Sequence, residues 1–174
     1  RVLPDADAQY VDTGSSALVR LRQPGTLELD FYVSGATDPQ IKVDWMASRD
    51  SGSQSMRGIN ALIELAERIG STRITADAAR SVTRDGRITM NGYKMWPKLG
   101  FDGPLPKRII DQLPPDLAGA RTVLDLYDTP AGRRYWIENG DTYNAAFDLA
   151  PNSRSRRVLA NIKAKLARRS RPAS

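Results

Sequence analysis

Residues 41–76 read IKVDWMASRDSGSQSMRGINALIELAERIGSTRITA, and this stretch decides the fold. Residues 41–47 alternate in the way that a strand with one buried face does. Residues 56–69 place apolar side chains at three- and four-residue steps and are followed by Gly70, which is typical of an amphipathic helix and its end. Residues 72–76 form a second short strand. This order predicts two neighbouring parallel strands joined by a crossing helix.

The flanking sequence adds antiparallel elements. Residues 17–23 and 26–33 alternate on either side of Pro24-Gly25, which predicts a hairpin. Thr129-Pro130 predicts the start of a helix that Gly140 closes, and residues 143–149 alternate as a last strand. We therefore expect a mixed α/β fold over residues 17–150, preceded by an irregular arm (1–16) and followed by a basic helix or tail (151–174).

The composition excludes several kinds of chemistry. The chain has no cysteine and no histidine, so it lacks disulfides and the usual ligands of zinc and copper sites. We expect no bound metal and no passage through a disulfide-forming compartment. No apolar run approaches the roughly 20 residues that a membrane span needs, so we expect no membrane partner.

The net charge of +6 is concentrated at the C-terminal end. Residues 151–174 carry eight basic residues and no acid, whereas residues 1–150 carry 18 basic and 20 acidic groups. This segment predicts either a docked helix whose cations face nucleic-acid phosphates or a solvated helix. The candidate nucleic-acid contacts are Arg154, Arg156, Arg157, Lys163, Lys165, Arg168 and Arg169.

Residues 42–101 resemble the GNAT superfamily of N-acetyltransferases in the order of their elements. A strand, a glycine-bearing loop, an amphipathic helix ending in glycine and a short strand are followed by a helix beginning at Asn91. That helix ends in the run Trp-Pro-Lys-Leu-Gly-Phe, residues 96–101. The resemblance covers about a third of the chain. It implies a GNAT-like central sheet with an elaborated C-terminal part, and an acyl-CoA-dependent transfer of an acyl group to an amine, with acetyl-CoA as co-substrate.

The resemblance also implies where coenzyme A binds. In the family, a loop of the form Gln/Arg–x–x–Gly–x–Gly/Ala presents backbone N–H groups to the pyrophosphate at the positive end of a helix. The alternative interpretation is an ordinary helix start that contains a glycine. The candidate cofactor-binding residues are Gln54, Arg57, Gly58, Ile59 and Asn60.

The implied reaction needs a base for the attacking ammonium and an acid for the leaving thiolate. Asp44 is the candidate base, with Glu28 and Asp30 on the neighbouring strand as alternatives. The family usually has tyrosine at the position of Trp96, and an indole N–H does not titrate in water. Tyr93 is the nearby phenol and the candidate acid.

Residues 142–153 (TYNAAFDLAPNS) are similar to segments of phage head-associated proteins that carry GNAT-like modules. This resemblance implies an alternative function, a catalytically inactive structural or binding module such as a virion component. The basic tail of such a module would contact nucleic acid or a partner subunit. We accordingly expect a cytoplasmic or virion-associated protein.

Overall fold

The computed structural model describes residues 6–48, 53–85 and 88–169. Within these ranges the strands are β1 (Asp7–Asp12), β2 (Ser16–Gln23), β3 (Leu27–Ser34), β4 (Gln40–Ser48), β5 (Arg73–Ala78), β6 (Arg80–Val82), β7 (Ile88–Asn91) and β8 (Tyr143–Asp148). The helices are α1 (Ser53–Ile69), α2 (Gly92–Lys98), α3 (Lys107–Ile110), α4 (Val123–Tyr127), α5 (Pro130–Asn139) and α6 (Arg154–Arg169), with a 3-10 turn at Pro115–Leu117.

A six-stranded mixed sheet in the order β1-β2-β3-β4-β5-β8 forms the centre of the molecule, and helices flank it. β4 and β5 are parallel, and every other neighbouring pair is antiparallel. The predicted mixed fold is confirmed, and so is the pair of parallel neighbouring strands joined by a helix. β6 and β7 form a separate two-stranded ribbon.

The hairpin of β2 and β3 forms where the sequence predicts it. Gln23 pairs with Leu27, and Gly25 in the connecting turn has a φ of 74°, a conformation that glycine adopts without a steric penalty. Alternate residues of β3 are buried, with Leu27 1%, Leu29 0% and Phe31 2% exposed. The period of two in the sequence therefore corresponds to one buried face.

Helix α1 lies against the buried face of the sheet. Ile59, Leu62 and Ala66 are at most 1% exposed, and the helix contacts β3, β4 and β5. Gly70, with a φ of 77°, ends the helix, and the N–H of Ser71 donates to the carbonyl of Ala66. The helix begins at Ser53, three residues before the predicted start at Met56.

Two features differ from the expectations drawn from the sequence. Residues 7–12, expected to belong to an irregular arm, form β1 at the edge of the sheet. Residues 80–91 contain the β6–β7 ribbon, which the sequence did not indicate. Every residue of β1 is exposed, so this strand has no buried face to produce an apolar period.

Candidate functional site

The parallel pairing of β4 and β5 stops early. Three residue pairs join the strands, the last being Val43 with Ala76, although β4 continues to Ser48 and β5 to Ala78. β3 pairs with the opposite edge of β4 along the whole strand. Within the described residues, the backbone of residues 44–47 forms no hydrogen bond other than those of the strand pairs. One edge of β4 therefore presents unpaired peptide groups to the space between the strands.

A β-bulge lies where the two strands separate. Asp30 pairs with Trp45 and Phe31 pairs with Val43, so Asp44 is an extra residue on β4. A bulge bends its strand and changes the direction of the side chains that follow it. Asp44 and Trp45 are consequently both exposed, Trp45 to 42%.

A cleft of about 430 Å³ opens between the separating strands. One wall is the end of β4, the opposite wall is the end of β5 with β7, the start of α1 closes one side, and α2 contributes the floor. The lining residues are Asp44, Trp45, Met46, Ala47, Ser55, Asp77, Ala79, Thr89, Met90, Asn91, Gly92, Met95 and Trp96.

The cleft is largely apolar and rich in sulfur. Three of the four methionines of the chain and two of its three tryptophans line it. Trp96 is 6% exposed and packs on Phe101 with ring centroids 4.7 Å apart. Methionine adapts its shape to a ligand at little cost, so such a surface accepts a flexible apolar chain.

Two carboxylates stand at the mouth of the cleft. Asp44 comes from the bulge in β4 and Asp77 from the end of β5. Lys42 Nζ lies 2.8 Å from Asp77 Oδ2, and this hydrogen bond and charge raise the pKa of Lys42. Asp44 forms no ion pair among the described residues, although its charge also helps to raise the pKa of Lys42.

The candidate coenzyme-binding residues lie within α1. Because α1 begins at Ser53, Gly58 is the sixth residue of the helix, and its N–H belongs to the intrahelical hydrogen-bond pattern. A Cβ on Gly58 would lie 3.2 Å from Leu27 Cδ2, so this glycine allows close helix–sheet packing. Ile59 is fully buried in the core. In this structure both residues have a packing role, and their assignment to a phosphate loop stays a prediction.

The free N–H groups of α1 are those of its first turn, near Ser55. Arg57 is exposed and Asn60 is half-buried, and neither lines the cleft. The side chain of Gln54 lies outside the described residues. Arg49 and Gly52 stand in the order Arg–x–x–Gly directly before α1 in the sequence. Both residues lie outside the described part of the chain.

Tyr93 does not face the cleft. It is fully buried, and its hydroxyl donates to the carbonyl of Ile137 over 3.3 Å. Cations of Arg80 and Lys94 each lie 5.3 Å from the centre of its ring. This position makes Tyr93 a packing residue, and the cleft contains no phenol among its described lining residues.

The two alternative bases are also separate from the cleft. Asp30 accepts a hydrogen bond from Arg22 and lies 3.8 Å from Arg20. Glu28 is exposed beside the turn that follows β2. Of the three carboxylates proposed as a base, Asp44 is the one that lines the cleft.

The first turn of α6 is bound to the body of the protein. Arg154 donates to Asp125 over 2.7 Å and to Asp128 over 2.6 Å, and Arg156 donates to Glu67 over 2.5 Å. Burial disfavours ionisation of Asp125, but hydrogen bonds from Arg154 and from two backbone N–H groups outweigh it and lower its pKa to about 2. These two arginines are engaged in contacts within the protein, and their assignment to nucleic acid stays a prediction.

The later cations of α6 are placed differently. Arg157 Nη1 donates to the carbonyl of Asn152, while Lys163, Lys165 and Arg168 are exposed. The side chain of Arg169 lies outside the described residues. Leu159, on the side of the helix opposite Arg157 and Arg168, is 4% exposed and belongs to the core.

No group of three or more acidic side chains that could hold a metal ion occurs in the described ranges. In the same ranges, no helix has both the length and the apolar character needed to cross a bilayer. Comparison of the chain with protein-family models, with curated proteins and with solved structures finds no match.

Proposed function

We propose that the cleft between β4 and β5 binds an acyl-coenzyme A, and that the acyl group passes to an amine. The observation that carries this proposal is the early end of the β4–β5 pairing, which leaves an unpaired strand edge beside the apolar side chains of Met95 and Trp96. The pantetheine arm of coenzyme A contains two amides and ends in a thioester. An extended chain with amides pairs with a free strand edge, as a bound peptide does.

The remaining surfaces of the cleft suit the two ends of such a ligand. Met46, Met95 and Trp96 offer an apolar floor to the acyl group. The first turn of α1 approaches the cleft at Ser55, and the free N–H groups of a helix start favour an anionic group such as a pyrophosphate. The resemblance of residues 42–101 to the GNAT superfamily supports the same orientation.

In the proposed reaction, Asp44 removes a proton from the ammonium group of the acceptor. The free amine attacks the thioester carbonyl, so that a C–N bond forms and the C–S bond breaks, and the nitrogen releases its second proton to water as the amide forms. The thiolate that leaves takes a proton from water, because the described lining of the cleft includes no phenol that could donate one. A positioned base of this kind contributes roughly 10²–10⁴-fold to a rate.

One observation favours a second function, binding without transfer. Trp96 stands where the family places a catalytic tyrosine, and Tyr93 is turned into the core. A protein with this site would hold an acyl-CoA or a related ligand and act as a binding or structural module. Binding in the absence of turnover would favour this second function over the first.

Isothermal titration with acetyl-CoA tests the binding step. Thr89 is exposed on the wall of the cleft, so Thr89→Trp fills the mouth without entering the core. We expect at least a tenfold loss of affinity for this variant. Gln112→Trp, an equally bulky change at an exposed residue that does not line the cleft, should bind as the wild type does. An absence of binding heat for the wild type would contradict the proposal.

Release of free thiol from acetyl-CoA, measured with a panel of primary amines, tests the transfer step. We expect Asp44→Asn to lower kcat about 100-fold or more while it keeps acetyl-CoA affinity. Glu28→Gln removes a carboxylate from the neighbouring strand, outside the cleft, and should leave kcat unchanged. Equal activity of the Asp44→Asn variant and the wild type would show that Asp44 is not the base.

A further inference from the structure

The geometry of α6 points to a second site, and we propose that its outer face binds the phosphate backbone of nucleic acid. Seven basic residues of this segment were candidate nucleic-acid contacts in the sequence analysis. Four of them have a described side chain that forms no ion pair. They are Arg157, Lys163, Lys165 and Arg168. This proposal is independent of the coenzyme cleft.

Three of these cations lie on one face of the helix. At 100° per residue, Arg157, Lys165 and Arg168 fall within an arc of about 80° and along about 17 Å of helix axis. We call these three residues the cationic stripe. Duplex DNA carries one negative charge per roughly 1.7 Å of axis, so the stripe spans several phosphates.

The stripe is held in place by the opposite face of α6. Leu159 is buried in the core, and Ile162 and Leu166 pack against it. At the start of α6, Arg154 binds acidic residues of α4 and of the segment after α4, and Arg156 binds an acidic residue of α1. The helix backbone that carries the cations is therefore already ordered, so binding has only the side chains to order.

No charge of opposite sign neutralises the stripe within the described chain. α6 contains no acidic residue. Asp125 and Asp128 are engaged with Arg154, and Glu67 is engaged with Arg156. Lysine and arginine side chains that are exposed and unpaired release condensed counterions when they bind a polyanion.

The outward face of α6 favours nucleic acid over other anionic partners. Its uncharged members include Ala160, Asn161 and Ala164, all exposed. A membrane-surface helix needs large apolar side chains beside its cations, and a protein interface needs aromatic or aliphatic anchors. The sequence has no aromatic residue after Phe147, so stacking on bases is absent and binding is without sequence preference.

Fluorescence anisotropy with a labelled random-sequence duplex at several salt concentrations tests the proposal on the full chain. With three phosphates engaged, we expect a log–log salt slope of about −3 for the wild type. The triple variant Arg157→Glu, Lys165→Glu, Arg168→Glu should bind at least tenfold more weakly at low salt. A matching triple glutamine variant removes the charges without reversing them and covers the case in which the first variant does not fold.

The control triple variant is Lys98→Glu, Arg133→Glu, Arg134→Glu, which changes the net charge by the same amount at exposed positions on α2 and α5. We expect its affinity for the duplex to stay within threefold of the wild type. Equal weakening by both triple variants would overturn the proposal in favour of a general charge effect. Equally tight binding to polyglutamate or to anionic lipid vesicles at the same salt concentration would also overturn it.

Discussion

Asp125 joins the start of α4 to the start of α6. One carboxylate oxygen accepts from Arg154 over 2.7 Å, and the other accepts from the backbone N–H groups of Arg121 and Thr122 over 2.9 and 2.8 Å. Because its pKa is lowered from 3.8 to about 2, the folded state favours the ionised form. The stabilisation is complete at pH 7 and is lost as the pH falls from 3.8 to about 2.

We expect Asp125→Asn to lower the free energy of unfolding by about 1 kcal/mol at pH 7, a value reduced for the partial exposure of this pair. The difference from the wild type should shrink at pH 2.5, where much of this stabilisation is lost in the wild type. Urea denaturation at the two pH values measures both quantities. Asp116→Asn, at an exposed residue of the 3-10 turn, is the control. A difference that stays constant with pH would contradict the assigned pKa.

Single residues of the cleft were partly predictable. The alternation of β4 indicated that Asp44 belongs to a polar face, and in the structure Asp44 lines the cleft at the bulge. The bulge at Asp44 could not be predicted, because it depends on the register between β3 and β4. The packing of Gly58 on Leu27 and the hydrogen bond of Tyr93 to Ile137 could not be predicted, because these partners are distant in sequence.

Gly132 sets the distance between α4 and α5. A Cβ on this residue would meet the backbone of Leu126, with its carbonyl carbon and Cα both at 2.9 Å. Helix propensity alone would make Gly132→Ala stabilising by about 1 kcal/mol. Since a backbone neighbour cannot move aside, we expect the substitution to destabilise the protein by about 2 kcal/mol or more instead.

Thermal or urea denaturation of the Gly132→Ala variant measures this effect. Gly119→Ala is the matched control, because a Cβ there would have no neighbour within 4 Å. Its free energy of unfolding should change by less than about 0.5 kcal/mol. A stabilised Gly132→Ala variant would mean that α4 and α5 are farther apart than described.

Elements with one buried face were predictable, and exposed ones were not. β2, β3, β4, α1 and β8 each combine a buried and a solvent-facing side, which leaves a period in the sequence. In the β6–β7 ribbon, Val82 and Met90 are exposed, to 46% and 39%, so their apolar character marks no core. The early start of α1 was hidden because its first residues are polar and carry no period.

The core of the molecule continues into α6. Leu159 is 4% exposed and belongs to the same apolar cluster as Leu29 and Phe31 of β3. We expect Leu159→Ala to lower the free energy of unfolding by about 2–3 kcal/mol. Asn161→Ala, on the exposed side of the same helix, should have little effect. Equal stability of the two variants would mean that α6 is not docked.

The same packing limits the experiments that suit this protein. Removal of residues 151–174 would expose the surface that Leu159 covers and leave Asp125 and Glu67 without their arginine partners. A truncated protein would therefore report instability as well as lost charge. Charge substitutions on the exposed face of α6 separate the two effects.

The short pairing of β4 and β5 has a consequence for the route by which the chain folds. β1 to β4 form successive hairpins, whereas Ile41 of β4 meets Ile74 of β5, and Ile74 in turn meets Phe147 of β8. Closing the longer loops costs more chain entropy before any contact compensates for it. The four-stranded meander is thus expected to form early, with β5 joining through α1 and β8 docking last. Only three described residue pairs join the early strands, β1 to β4, to the late strands, β5 and β8. The gap between β4 and β5 is therefore expected to acquire both of its walls late in folding.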